Sequence, residues 1–163
     1  MALSGTSRPL RASRAARSRG VKIELLVSTR KRRSRSTSRA RKSAALIGDS
    51  PQLFGHVAVA GGQVVGTALW FLTFSTWRGT HGIHLEDLYV QPAHRGRGLG
   101  RELLRTLAQE CVDRGFARLE WSVLDWNTPS IEFYRAAGAV PMEGWTVFRL
   151  TGDALADLAA DRR

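Results

Sequence analysis

Cysteine occurs once in the 163 residues, at Cys111, which excludes an intramolecular disulfide and a cluster of thiolate metal ligands. Histidine is nearly as scarce, with four scattered residues that match no metal-ligand spacing. No stretch approaches the roughly eighteen uninterrupted apolar residues that a membrane helix requires, and the opening residues lack the apolar segment of a secretory signal. The expectation is a cytoplasmic protein with no metal and no membrane partner. Acidic residues are almost absent from the start of the chain. Residues 1–43 hold 14 Lys or Arg against Glu24 alone, leaving 11 bases and 13 acids for residues 44–163. The whole of the +11 formal charge therefore belongs to a leader, and the remainder is mildly acidic. Nucleic acid would be met only through that leader, whereas the remainder suits a small cation.

What is present divides at about residue 46. Residues 1–46 are Arg- and Ser-rich and cannot bury enough apolar surface to offset their ordering entropy, apart from a short strand at 21–27. Residues 47–163 read as one domain, with an overall hydrophobic content of 43% that can supply a core. Alternating apolar residues predict strands at 54–60 and 63–74 joined by Gly61 and Gly62, and a third strand at 83–90. A helix is expected over 99–114, with Leu99, Leu103, Leu104, Leu107, Ala108, Cys111 and Val112 on one face and Gly115 as its stop. Further strands at 119–124 and 146–150, and helices at 130–137 and 154–160, complete a mixed α/β layout.

The segment Arg95-Gly96-Arg97-Gly98-Leu99-Gly100 lies between a strand and an amphipathic helix. Glycines let a backbone approach a ligand closely, and the first N–H groups of a helix, with its dipole, attract an anion such as a diphosphate. Arg95, Arg97 and Arg101 add positive charge there. A dinucleotide-binding turn would follow the first strand, whereas at least two strands precede this one. Taken alone, such a turn is equally a tight connection without a ligand.

With LEDLYVQPAH before it and LEWSVLDWNTPSIEFYRAAGA after it, the RGRGLG segment resembles the GCN5-related N-acetyltransferase superfamily, and within it the diamine (spermidine/spermine) branch. The resemblance covers roughly residues 50–150. It implies a mostly antiparallel mixed sheet, splayed open and flanked by helices, with acetyl-CoA in the cleft. It also implies an opening strand and helices over one side of the sheet, a place that the leader takes here. Carried over, Leu88, Tyr89 and Val90 pair with the pantetheine arm, and Arg95, Gly96, Arg97, Gly98, Leu99, Gly100 and Arg101 hold the diphosphate. Asn127 and Ser130 line the coenzyme tail, although Asn127 can simply cap its helix. Tyr134 faces the thioester sulfur. The diamine branch is typically dimeric, so a homodimer goes with the resemblance.

The chemistry explains these residue types. A primary alkylamine has a pKa near 10.4, so on the order of one molecule in a thousand is neutral and nucleophilic at pH 7. Glu86, on the strand beside the thioester, is the candidate base; Tyr134, a phenol of pKa about 10, is the candidate acid for the leaving thiolate. The N–H of Leu88 suits an oxyanion. Cys111, on an apolar helix face, reads as a buried small residue and not as a nucleophile. Glu86, Asp87, Glu120 and Glu143 with Trp77 and Trp121, and Ser122 beside them, form a candidate acidic, aromatic-walled site for a polyamine-like or diamine substrate. Carboxylates on alternate strand residues can equally be a solvated face. Thialysine- or lysine-type amines, and a coenzyme-binding module with little activity, stay open as alternatives. For the leader three accounts stand: an out-of-frame or wrongly started reading, a nucleic-acid-binding tail, and a transit-like presequence.

Overall fold

Alternation between β-branched or aromatic residues and polar ones runs through residues 54–90, and this stretch builds the centre of one sheet. In the computed structural model, residues 17–18, 20–25, 45–46 and 51–160 are described. They fall in two compact units, Met1–Ser122 and Val123–Arg163. The first contains β1 (Arg17–Ser18), β2 (Val21–Leu25), β3 (Phe54–Ala60), β4 (Gln63–Ser75), β5 (Thr80–Val90), a 3-10 turn (Pro92–His94), α1 (Leu99–Arg114) and β6 (Leu119–Glu120). The strands are ordered β1-β2-β3-β4-β5-β6. Every neighbouring pair is antiparallel except β5 and β6, which run parallel on either side of the α1 crossover, as parallel neighbours require.

β2 lies inside the stretch expected to be leader and pairs with β3 from Val21 opposite Ala60 to Leu25 opposite His56. The rest of the expected 21–27 strand, and most of the expected leader, fall outside the described residues. Register on either side of β4 is broken twice. Ala58 pairs with Gly66 and Val59 with Val64, so Val65 is an extra residue on β4. Leu69 pairs with Asp87 and Trp70 with Leu85, so Glu86 is an extra residue on β5.

The core lies between α1 and one face of this sheet. Ile23, Ala58, Ala68, Trp70, Ile83 and Leu85 from the strands, and Leu99, Leu103, Leu104, Leu107 and Cys111 from the helix, are buried. Each large apolar side chain among them contributes roughly 1.5–3 kcal/mol on leaving water. The same interior holds a polar group: His56 is fully buried, its Nδ1 accepts the indole N–H of Trp70 at 3.1 Å, and its Nε2 stands 4.0 Å from Glu110 Oε1. Glu110 in turn accepts from Arg114 Nε at 2.8 Å. Desolvation, and secondarily the charge of Arg114, push the His56 pKa down to about 4, so at neutral pH it is an uncharged imidazole and the approach to Glu110 is no ion pair.

Three expectations need correcting. Ala108 and Val112 are exposed, because the buried stripe of α1 runs through Thr106 and Glu110 instead. Thr106 satisfies its hydroxyl on the Glu102 carbonyl at 2.9 Å, and Glu110 its carboxylate on Arg114. The strand expected at 119–124 pairs only over Leu119–Glu120. No strand forms at 146–150; its alternation has no partner strand among the described residues.

The second unit holds α2 (Thr128–Ala136) and α3 (Gly152–Ala159). Asn127 caps α2, its Oδ1 accepting the Ser130 N–H at 3.4 Å, with Pro129 in the first turn. None of its described residues is buried.

Candidate active site

One edge of β5 is paired with β4 as far as Val90, whereas the other meets β6 only at Ile83 and His84. From Leu85 to Val90 that second edge has no strand partner among the described residues, so, apart from the Val90 carbonyl that accepts from Arg95, it offers backbone groups of the kind that an extended ligand pairs with. β5 then runs through the 3-10 turn into the glycine loop and α1. Gly98 is the residue before the helix, at φ 79° in the left-handed region, and no side chain caps the helix. The first N–H groups of α1 therefore lack intrahelical partners and carry the positive end of the dipole. A Cβ at Gly96 or Gly98 would meet nothing within 4 Å, so the loop is open on its outer side, and Arg97 and Arg101 beside it are exposed. Arg95 behaves differently: its Nε donates to the Val90 carbonyl at 2.9 Å and its guanidinium carbon lies 6.0 Å from the Tyr89 ring centre. That side chain ties the loop to the strand end.

The sheet face turned away from α1 carries the expected acids of this unit. Register places Thr73 opposite Gly82, Phe71 opposite His84, Leu69 opposite Asp87 and, across to β6, Glu120 opposite His84. The extra residue in β5 sets Glu86 and Asp87 side by side, both exposed, between the inward-facing Leu85 and the half-buried Leu88. Phe71 stacks on His84 at 4.9 Å. Glu120 is already engaged: Oε1 accepts from Arg118 Nε at 3.0 Å and from the Thr73 hydroxyl at 3.4 Å. Trp121 is half-buried and Ser122 exposed. Trp77 is not part of this group. It is 93% exposed in the turn joining β4 to β5, and Glu86 lies six residues along β5 from Thr80, roughly 20 Å at the usual strand rise.

In the second unit Asn127 and Ser130 are occupied with each other at the start of α2, and Glu143 is exposed. Tyr134 is half-buried on α2 with its ring edge-on to Phe133 at 5.1 Å. Burial raises the phenol pKa, so Tyr134 keeps its proton at neutral pH. Cys111 is buried and burial raises its thiol pKa as well, which removes it as a nucleophile at neutral pH. Among the described residues no group of three or more His, Cys, Asp or Glu could hold a metal ion, and no helix is long and apolar enough to cross a membrane.

Sequence reasoning missed Arg118, Thr73 and His84. Spacing by two on a strand puts Arg118 and Glu120 on one face, but nothing local signals what lies across the sheet.

The model of the acetyltransferase (GNAT) family matches residues 15–139. The chain is 41% identical over 99 residues to the thialysine N-epsilon-acetyltransferase of Bos taurus, covering 59% of this chain and 58% of that protein. It is 38% identical over 92 residues to an L-ornithine N5-acetyltransferase of Arabidopsis thaliana, 56% of this chain and 40% of that one. Both matches thus span less than two thirds of the relatives' own length. An aminoglycoside acetyltransferase from an uncultured soil metagenomic sample superposes with a TM-score of 0.67 at 17% identity, over 82% of this chain and 97% of that one.

Proposed function

The chain belongs to the acetyltransferase (GNAT) family, and from that premise we propose that it transfers the acetyl group of acetyl-CoA to the primary amine of a small alkylammonium substrate, by direct attack without an acyl-enzyme. Diamines, polyamine-like amines and lysine-type amino acids all fall within that class; relatives named for thialysine and ornithine support it. What carries the reading is the edge of β5 left without a strand from Leu85 to Val90, running straight into a glycine loop whose helix start is uncapped.

In this reading the backbone of Leu88, Tyr89 and Val90 holds the amide-bearing arm of the coenzyme, and the N–H groups of residues 96–101 hold its diphosphate with the charges of Arg97 and Arg101. Asn127 and Ser130 serve the coenzyme tail. Acetyl-CoA supplies an activated acyl thioester. Glu86 takes the ammonium proton, directly or through a water, which makes the nitrogen nucleophilic. The Leu88 N–H donates to the oxygen that gains charge, and Tyr134, protonated at neutral pH, gives its proton to the departing thiolate. Asp87, Glu120 and Glu143 add negative charge that draws the cation. A cytoplasmic location and a homodimer go with this proposal, and nucleic acid would be bound only by the basic leader.

Thiol release from acetyl-CoA should depend on added amine and fall on the order of 10²-fold in kcat in Tyr134→Phe, with coenzyme affinity kept. Coenzyme binding without turnover of any amine from a broad panel refutes the enzyme reading and leaves a binding module.

A further inference from the structure

We propose that Arg118 and Glu120, with Thr73, form a subsite that reads the paired charges of an α-amino acid, so that the preferred acceptor is the side-chain amine of an amino acid and not one end of a diamine. The proposal rests on the acetyl-transfer reading and narrows it to a substrate class.

The two side chains meet through one atom each, Arg118 Nε and Glu120 Oε1, 3.0 Å apart. Among the described residues the two terminal nitrogens of the guanidinium and the second oxygen of Glu120 make no hydrogen bond. A guanidinium presents that terminal pair in a planar fork that fits a carboxylate with two parallel bonds. The spare carboxylate oxygen beside it fits an ammonium. Together they complement the carboxylate and ammonium on one α-carbon, and both residues are open to solvent at 38% of their side-chain surface. An ion pair so exposed adds little to stability, so stability does not account for the construction around it.

That construction is specific. A Cβ at Gly82 would lie 2.7 Å from Arg118 Cγ and 3.1 Å from Thr73 Oγ1, so the missing side chain is what lets the Arg118 stem cross β5. Thr73 then fixes Glu120 Oε1 from the far strand. The contacts of Glu120 with Thr73 and of the Arg118 stem with Gly82 set the pair at the Gly82 position of β5, four residues from the proposed base Glu86 and roughly 13 Å along the strand. The arm of a lysine-length amino acid, five bonds from α-carbon to terminal nitrogen, spans about 6 Å when extended, and a hydrogen bond of about 3 Å at each end brings its reach to about 12 Å. His84 stacked on Phe71 offers a flat wall between the two points for its methylene groups. A diamine of the same length offers an ammonium to the spare oxygen of Glu120 but no carboxylate to the Arg118 fork, which it leaves unpaired beside a like charge.

The test compares lysine with cadaverine and ornithine with putrescine, each amino acid against its decarboxylated counterpart, by thiol release from acetyl-CoA with the full chain. The parent should favour the amino acid in kcat/KM by about tenfold or more. Arg118→Gln should bring that ratio to about one or below, chiefly through a higher KM for the amino acid, while calorimetric affinity for the coenzyme shows that the variant is folded. Arg118→Lys, which keeps the charge without the fork, should lower the ratio several-fold and serves if the glutamine variant does not fold. A parent that prefers the diamines, or a ratio unmoved by either substitution, overturns the subsite while leaving the acetyltransferase reading intact. Absence of release with all four amines refutes that reading, and the subsite with it.

Discussion

The buried imidazole gives the fold a measurable dependence on pH. His56 has no solvent exposure, accepts a hydrogen bond from Trp70 through Nδ1, and faces Glu110 and, beyond it, Arg114. Its pKa is lowered from 6.5 to about 4, so between those values the unfolded chain carries a proton at this position that the folded chain does not. Stability must then be complete above pH 6.5 and fall as the pH drops towards 4. At about 1.4 kcal/mol per pH unit, the gap comes to about 3 kcal/mol. Part of that cost is geometric: an imidazolium would carry a proton on Nδ1, where the indole N–H already points. Urea unfolding at pH 7 and at pH 4.5, on the parent chain and on His56→Gln, isolates the contribution, because both chains share every other titrating group. The parent should lose roughly 1–2 M more of its midpoint than the variant over that interval. Parallel pH dependence in the two chains would mean that His56 is not held neutral, and the account of the polar core would be wrong.

Two further outcomes follow from the glycine loop. Gly98→Ala meets no steric obstacle, since nothing lies within 4 Å of the added carbon, yet it must hold a φ of 79°; a loss of about 1–2 kcal/mol in urea stability together with weaker coenzyme binding is expected, and unchanged values in both would show that the left-handed turn is dispensable. Arg97→Gln should weaken coenzyme affinity several-fold at low salt, with the difference shrinking as ionic strength rises, because an exposed guanidinium acts through screened charge; calorimetry in a salt series that shows a constant difference contradicts that role.

Local pattern made much of the first unit legible and little of its site. The β3–β4 hairpin and both ends of α1 were readable because alternation, two turn glycines and a terminal glycine act within a few residues of the chain. The start of β5 was placed three residues late: Gly82 disfavours a strand and His81 does little to signal one, so Thr80 stands cut off from the apolar run, and all three are held by pairing with Ser75, Phe74 and Thr73. The alternation at 146–150 indicated faces but could not supply a neighbour, and without one no strand forms. Trp77 was grouped with Glu86 on chemical type, whereas the length of β5 holds them apart. Glu120 was found by its charge; its engagement with Arg118 and Thr73 depends on pairing between residues 47 positions apart, which no window of sequence contains. The extra residue at Glu86 has no sequence signal either, since it shows only when β4 and β5 are set in register.

An edge such as that of β5 is a hazard in itself. A row of unpaired N–H and C=O groups invites another strand, and proteins commonly guard such rows with charge or a bulge. The extra residue at Glu86 and the adjacent exposed carboxylates of Glu86 and Asp87 would serve that purpose whatever the chemistry nearby, so their charge alone does not separate protection from catalysis. The same explanation fails at Arg118 and Glu120. Protection calls for charge of one sign or for none that is matched, whereas this pair neutralises itself through one contact and leaves a donor fork and an acceptor oxygen pointing to no protein partner among the described residues. It also depends on a glycine and a threonine contributed by two other stretches of chain. Guarding an edge requires neither, and recognition of a ligand bearing both charges requires a fork and a free oxygen held in just this way.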